Sequence, residues 1–76
     1  MNKRYRIVLK TLDFGNIKSV WMDKLERDAT NDFMTEKFHN LDTLTFNTDS
    51  GTIHIPRTVL DRSIILLQEE EMDEDE

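Results

Sequence analysis

Along the chain, apolar and polar positions alternate in two stretches and recur at helical spacing in two others. From Arg4 to Leu12 the side chains Tyr5, Ile7 and Leu9 alternate with Arg4, Arg6, Val8 and Lys10, the period of two that marks a half-buried strand. Asp13-Phe14-Gly15-Asn16 follows with turn chemistry: Gly15 can take a positive φ and Asn16 can cap a helix. Ile17, Val20, Trp21 and Leu25 are then spaced i, i+3, i+4 and i+8, which predicts a first helix over residues 17 to 27 with these four on its inner stripe. Ala29-Thr30-Asn31-Asp32 interrupts that stripe and offers caps. Met34, Phe38 and Leu41 resume at i, i+4 and i+7 beside Phe33, predicting a short second helix over residues 32 to 39. The competing reading makes Ser19 to Leu25 and Phe33 to Phe38 strands of a small barrel.

The period returns to two at Thr43. Leu44 and Phe46 share one side, Thr48-Asp49-Ser50-Gly51 turns, and Thr52-Ile53-His54-Ile55 resumes the alternation, which predicts a hairpin with Gly51 in a left-handed or bulged position. Pro56 lacks the N–H that a ladder needs and suits the first position of a helix, so one helical turn is expected over residues 56 to 62. Ile64 to Leu67 then reads as a last strand. The fold class expected is α+β: a small three- or four-stranded, mainly antiparallel sheet with two short helices on one face, in the order β-α-α-β-β-turn-β. The expected core is Tyr5, Ile7, Leu9, Ile17, Val20, Trp21, Leu25, Met34, Phe38, Leu44, Phe46, Ile53, Ile55, Leu60, Ile65 and Leu67.

Composition changes this picture mainly at the ends. The formal net charge is −6 over 76 residues, but Glu69, Glu70, Glu71, Asp73, Glu74, Asp75 and Glu76 supply seven of the acids, so residues 1 to 68 carry +1. At the other end Lys3, Arg4, Arg6 and Lys10 stand among the first ten residues with no acid between them. Seven like charges in eight residues resist compaction, so the chain divides into a domain over 1–68 and an acidic tail over 69–76 that is expected to be disordered. A chain this short exposes a large fraction of its surface, and with no cysteine it has neither disulfide nor thiolate metal site to reinforce it. Val8, Phe33 and Ile64 could seal a homodimer. The longest apolar run, Ile64 to Leu67, is far below the roughly 20 residues of a membrane span, and no signal peptide is read at the start. Membrane insertion is not expected, and the lack of cysteine leans towards the cytoplasm.

Candidate chemistry is sparse. Glu36-Lys37-Phe38-His39 has the spacing of a helical carboxylate–imidazole metal pair, but a di-metal site needs a second such pair and two further carboxylates, so the expectation is a solvated helix end. His54 reads as an exposed cross-strand partner. Gly15 and Gly51 lie in no phosphate loop, and nothing sets a nucleophile beside either histidine. The chain is therefore expected to be no enzyme and to hold no metal or cofactor. Two features remain. Arg4, Arg6 and Lys10 project to one side of the first strand and could follow a phosphate backbone, although Tyr5 points the other way and no stacking aromatic is expected with them. The acids Glu69, Glu70, Glu71, Asp73, Glu74, Asp75 and Glu76 could engage a basic protein surface, or fold back and mask the basic strand. In size and composition the chain resembles the short, acidic, cysteine-free proteins of bacteriophages and other mobile elements, many of which act by binding host proteins. The expected function is a non-catalytic interaction protein, an adaptor or inhibitor, that uses its acidic tail. The alternative is a nucleic-acid-binding module that uses Arg4, Arg6 and Lys10 and is held in check by that tail.

Overall fold

A computed structural model describes residues 2–72. Strand β1 (Lys3–Thr11) runs through the middle of a three-stranded antiparallel sheet, with β2 (Gly15–Lys18) on one side and β5 (Ser63–Glu71) on the other. A hairpin of β3 (Thr43–Thr48) and β4 (Gly51–Pro56) makes a second sheet. The two are joined where the Val20 N–H donates to the Asn47 carbonyl at 2.9 Å. Helix α1 (Lys24–Lys37) crosses between them, continues into a 3-10 turn at Phe38–Asn40, and a single helical turn, α2 (Arg57–Leu60), follows Pro56. The class is α+β, as the sequence predicts. No helix among the described residues is long and apolar enough to cross a membrane.

The hairpin falls where the alternation places it. Leu44 opposes Ile55 and Phe46 opposes Ile53, and Thr48 pairs with Gly51, whose φ of 131° is costly for any residue with a Cβ. The region between Asn16 and Phe38 differs from the expected two helices. Ile17 and Lys18 belong to β2, and helix α1 starts only at Lys24. Its N-cap is Asp23, whose carboxylate accepts from the Glu26 N–H at 2.8 Å while Glu26 reaches back to the Asp23 N–H. This reciprocal cap fixes the helix start, so Ala29 to Asp32, expected to break the pattern, lie inside the helix, where nothing forces an end. The sheet is accordingly three strands plus two, with one main helix.

The buried centre is Leu9, Leu44, Ile55 and Leu60, with Ile17, Met34, Phe38 and Ile65 among the half-buried side chains packed on it. Leu25, expected in the core, is 80% exposed, and Val20 is also exposed, because the stripe they define is not on one helix. Val8, expected on the polar side, is buried: it lies in the central strand between Lys18 and Leu66, which cover it from both flanks. Ser19 is buried too. Its hydroxyl accepts from the Ile7 N–H at 2.8 Å and donates to the Val20 carbonyl at 2.9 Å. Ser19→Ala leaves that N–H without a partner, and we expect a loss of about 1–3 kcal/mol, read as a fall in the urea midpoint with an unchanged slope.

The acidic end is where the fold departs furthest from expectation. Glu69, Glu70 and Glu71 are not tail residues: they complete β5, opposite Tyr5, Arg4 and Lys3 respectively, and the Met72 N–H donates to the Asn2 carbonyl one step further. The repulsion that argues for disorder is offset by cations on the neighbouring strand, more than sixty residues away in sequence. The domain therefore extends past Gln68. Asp73, Glu74, Asp75 and Glu76 lie outside the described residues.

A charged sheet face and a groove along its edge strand

Alternation along a strand and direct pairing across strands decide which side chains share a face. On the outer face of the three-stranded sheet, β1 presents Arg4, Arg6, Val8 and Lys10. Opposite them on β5 stand Glu70, Gln68, Leu66 and Ile64, and β2 sets Lys18 and Asn16 opposite Val8 and Lys10. The sequence-predicted basic residues are thus brought together with a predicted acidic one. The Arg4 guanidinium donates through Nε to Glu70 at 3.0 Å and forms an ion pair with it, and Arg6 Nε donates to the Gln68 amide oxygen at 2.7 Å. Lys10 and Lys18 remain on the same face, which carries four cations against one carboxylate. It is also partly apolar: Ile64 is 69% and Leu66 42% exposed.

Trp21 joins this face, which sequence reasoning did not anticipate. Tyr5 and Met22 exchange both backbone hydrogen bonds, at 2.9 and 2.6 Å. Trp21, one residue earlier, therefore stands beside Arg6. The Cζ atoms of Arg4 and Arg6 lie 4.0 and 4.2 Å from its ring centroid, within the range of cation–π attraction. The expectation that no aromatic accompanies Arg4, Arg6 and Lys10 is thereby corrected. A helical stripe is the dominant local signal around Trp21, and only the non-local pairing of Met22 with Tyr5 reveals its true place.

On the inner face the acidic end meets the basic start again. Lys3 Nζ donates to Glu69 at 2.8 Å. The Lys3 ammonium holds the Glu69 carboxyl below the usual carboxylate range, first by that hydrogen bond and then by charge, and the same contact raises Lys3. Because Glu69 is depressed in the folded chain, its contribution is complete above the unfolded carboxylate range and is lost as pH falls through the lowered value. Because Lys3 is raised, its contribution persists below the unfolded lysine value and is lost as pH rises through the raised one. The melting-temperature difference between the wild type and Glu69→Gln should therefore be small and constant from about pH 6 to about pH 9, and should shrink as pH falls through and below the ordinary carboxylate range.

Beside the inner face a groove of about 340 Å³ runs between α1 and β5, lined by the apolar Ile7, Met34, Phe38, Ile65 and Leu67 together with the polar Thr30, Asn31 and Ser63. Its volume falls within the roughly 300–1,000 Å³ of small-ligand sites, and its wall on one side is an edge strand. Glu36 lies on α1 and His39 in the 3-10 turn, both exposed. Among the described residues no three His, Asp or Glu side chains stand together as they would to hold an ion. His54 Nδ1 lies 2.9 Å from the Thr45 hydroxyl directly across the hairpin, a cross-strand contact. No family model matches this chain, and no curated protein or solved structure matches it either.

Proposed function

We propose that this chain is a non-catalytic interaction protein, an adaptor or inhibitor, that binds a partner protein by a basic surface along the acidic end of β5. The observation that carries the reading is that Glu69, Glu70 and Glu71 are held in an edge strand rather than free to wander. Strand spacing sets alternate carboxylates about 7 Å apart on one face, so the charge is presented in a defined direction. Lys3 and Arg4 take up two of these acids, yet residues 69 to 76 carry seven, and the end as a whole stays strongly negative. Charge of this kind speeds encounter with a cationic partner and is weakened by salt. A cysteine-free chain suits the reducing cytoplasm, where we place it, and its likeness in size and composition to phage-encoded proteins fits a binding role.

One observation favours a second reading. Trp21, with the Arg4 and Arg6 guanidiniums against its ring and Lys10 and Lys18 further along the same face, sets an aromatic among phosphate-binding charges, the combination that single-stranded nucleic-acid binders use. In that reading Glu70 occupies Arg4 and competes with phosphate. Fluorescence anisotropy with a labelled lysine-rich nonapeptide and a labelled single-stranded nine-mer oligonucleotide separates the two. The first reading predicts that the peptide binds and is weakened at least fivefold between about 50 and about 300 mM salt, while the oligonucleotide does not bind. Oligonucleotide binding that strengthens in Glu70→Gln, with no peptide binding, would replace the first reading by the second.

A further inference from the structure

Strand β5 has two edges, and β1 occupies one. Among the described residues the other is open in the strand order β2-β1-β5, so alternate residues of a nine-residue strand turn their N–H and C=O groups away from β1 with no described strand to receive them. Along this open edge lies the groove whose floor is Ile65, Leu67 and Ile7 and whose far wall is Met34 and Phe38. An edge strand facing a helix across an apolar groove has the shape that accepts an added strand: backbone hydrogen bonds give affinity, and alternate side chains enter the groove.

The chemistry of the occupant can be read from the strand already paired. β1 meets β5 antiparallel, with Lys3 and Arg4 against Glu71 and Glu70 and with Ile7 and Leu9 against Leu67 and Ile65. The open edge offers the same backbone and the same order of side chains, acidic at one end and apolar at the other. Resting on the reading of a basic partner, we propose that the ligand is an extended segment of a partner protein that adds to β5 as a further antiparallel strand. It is basic at its N-terminal end, beside Glu69 to Glu71, and apolar at alternate positions that enter the groove beside Leu67 and Ile65.

A labelled peptide copying residues 3 to 11 (Lys-Arg-Tyr-Arg-Ile-Val-Leu-Lys-Thr) supplies a probe of this pattern. Its control has the same charges but carries proline in place of the residues copied from Ile7 and Leu9, which removes ladder donors. Titrated into the intact chain, the strand-forming peptide should bind at least tenfold more tightly than the control. Asn31→Arg, an exposed position on the groove's helical wall, should cost the strand-forming peptide at least fivefold without changing the melting temperature. Equal binding of the two peptides would overturn strand addition while leaving the basic-partner reading intact. Binding of neither would overturn both. Sedimentation should show a monomer at the working concentration, whereas a dimer that excludes the peptide would put a second copy on the edge and overturn the proposal.

Discussion

Leu9→Ala should cost this domain about 3–5 kcal/mol, the range for a fully buried leucine whose cavity only partly collapses. Leu9 has no exposed surface. It lies in the central strand between Ile17 and Ile65 and packs into the cluster of Leu44, Ile55 and Leu60, so it ties both sheets to the one-turn helix. A chain of 76 residues has a total stability of only about 4–11 kcal/mol, and the substitution removes a large part of it. The expected result is a urea unfolding curve whose midpoint falls by a third or more, followed by far-ultraviolet circular dichroism. Leu25→Ala is the matched control. The sequence pattern assigns both leucines to the core, yet Leu25 is exposed and its loss should stay within about 0.5 kcal/mol. Equal effects of the two substitutions would mean that residues 17 to 27 form the continuous amphipathic helix after all.

Ending the chain at Gln68 should lower the melting temperature by roughly 5–10 °C relative to a chain ending at Met72. The cut removes the partners of Lys3, Arg4 and Tyr5 on β5, together with the hydrogen bond from Met72 to Asn2. Tyr5 is buried and directly opposite Glu69, so its ring loses a flanking strand and is left with Arg27, whose Cζ lies 4.8 Å from the ring. Arg4 loses Glu70 and keeps only its stacking on Trp21. Identical melting of the two chains would show that Glu69 to Glu71 do not add to the sheet. The chain ending at Met72 retains every described strand pair, so it rather than the shorter chain separates the role of the last four acids from the integrity of β5.

What could be read from the sequence was the local part of the fold. The alternation of Tyr5, Ile7 and Leu9, the Leu44–Phe46 and Ile53–Ile55 arms and the punctuation by Gly51 and Pro56 are all short-range signals, and each corresponds to an observed element. The misreadings have non-local causes. Ile17, Val20, Trp21 and Leu25 match a helical stripe by spacing, but Ile17 is drawn into β2 by pairing with Leu9, and Tyr5 captures the segment through Met22. The cap at Asp23 then starts the helix at Lys24, seven residues beyond Ile17. Glu69 to Glu71 look like a repelling run until Lys3 and Arg4 are set beside them. The basic residues Arg4, Arg6 and Lys10 were legible as one face because a regular strand guarantees it. Trp21 on that face and the groove between α1 and β5 were not, since both depend on tertiary placement.

The most direct test of binding along β5 is amide hydrogen exchange on the intact chain, measured residue by residue with and without the peptide copying residues 3 to 11. The largest added protection should fall on alternate amides between Ser63 and Glu71, those facing away from β1, with smaller gains around Met34 and Phe38 across the groove. Protection gained instead around Arg6, Lys18 and Trp21, or no gain at β5 with the peptide bound, would contradict the account.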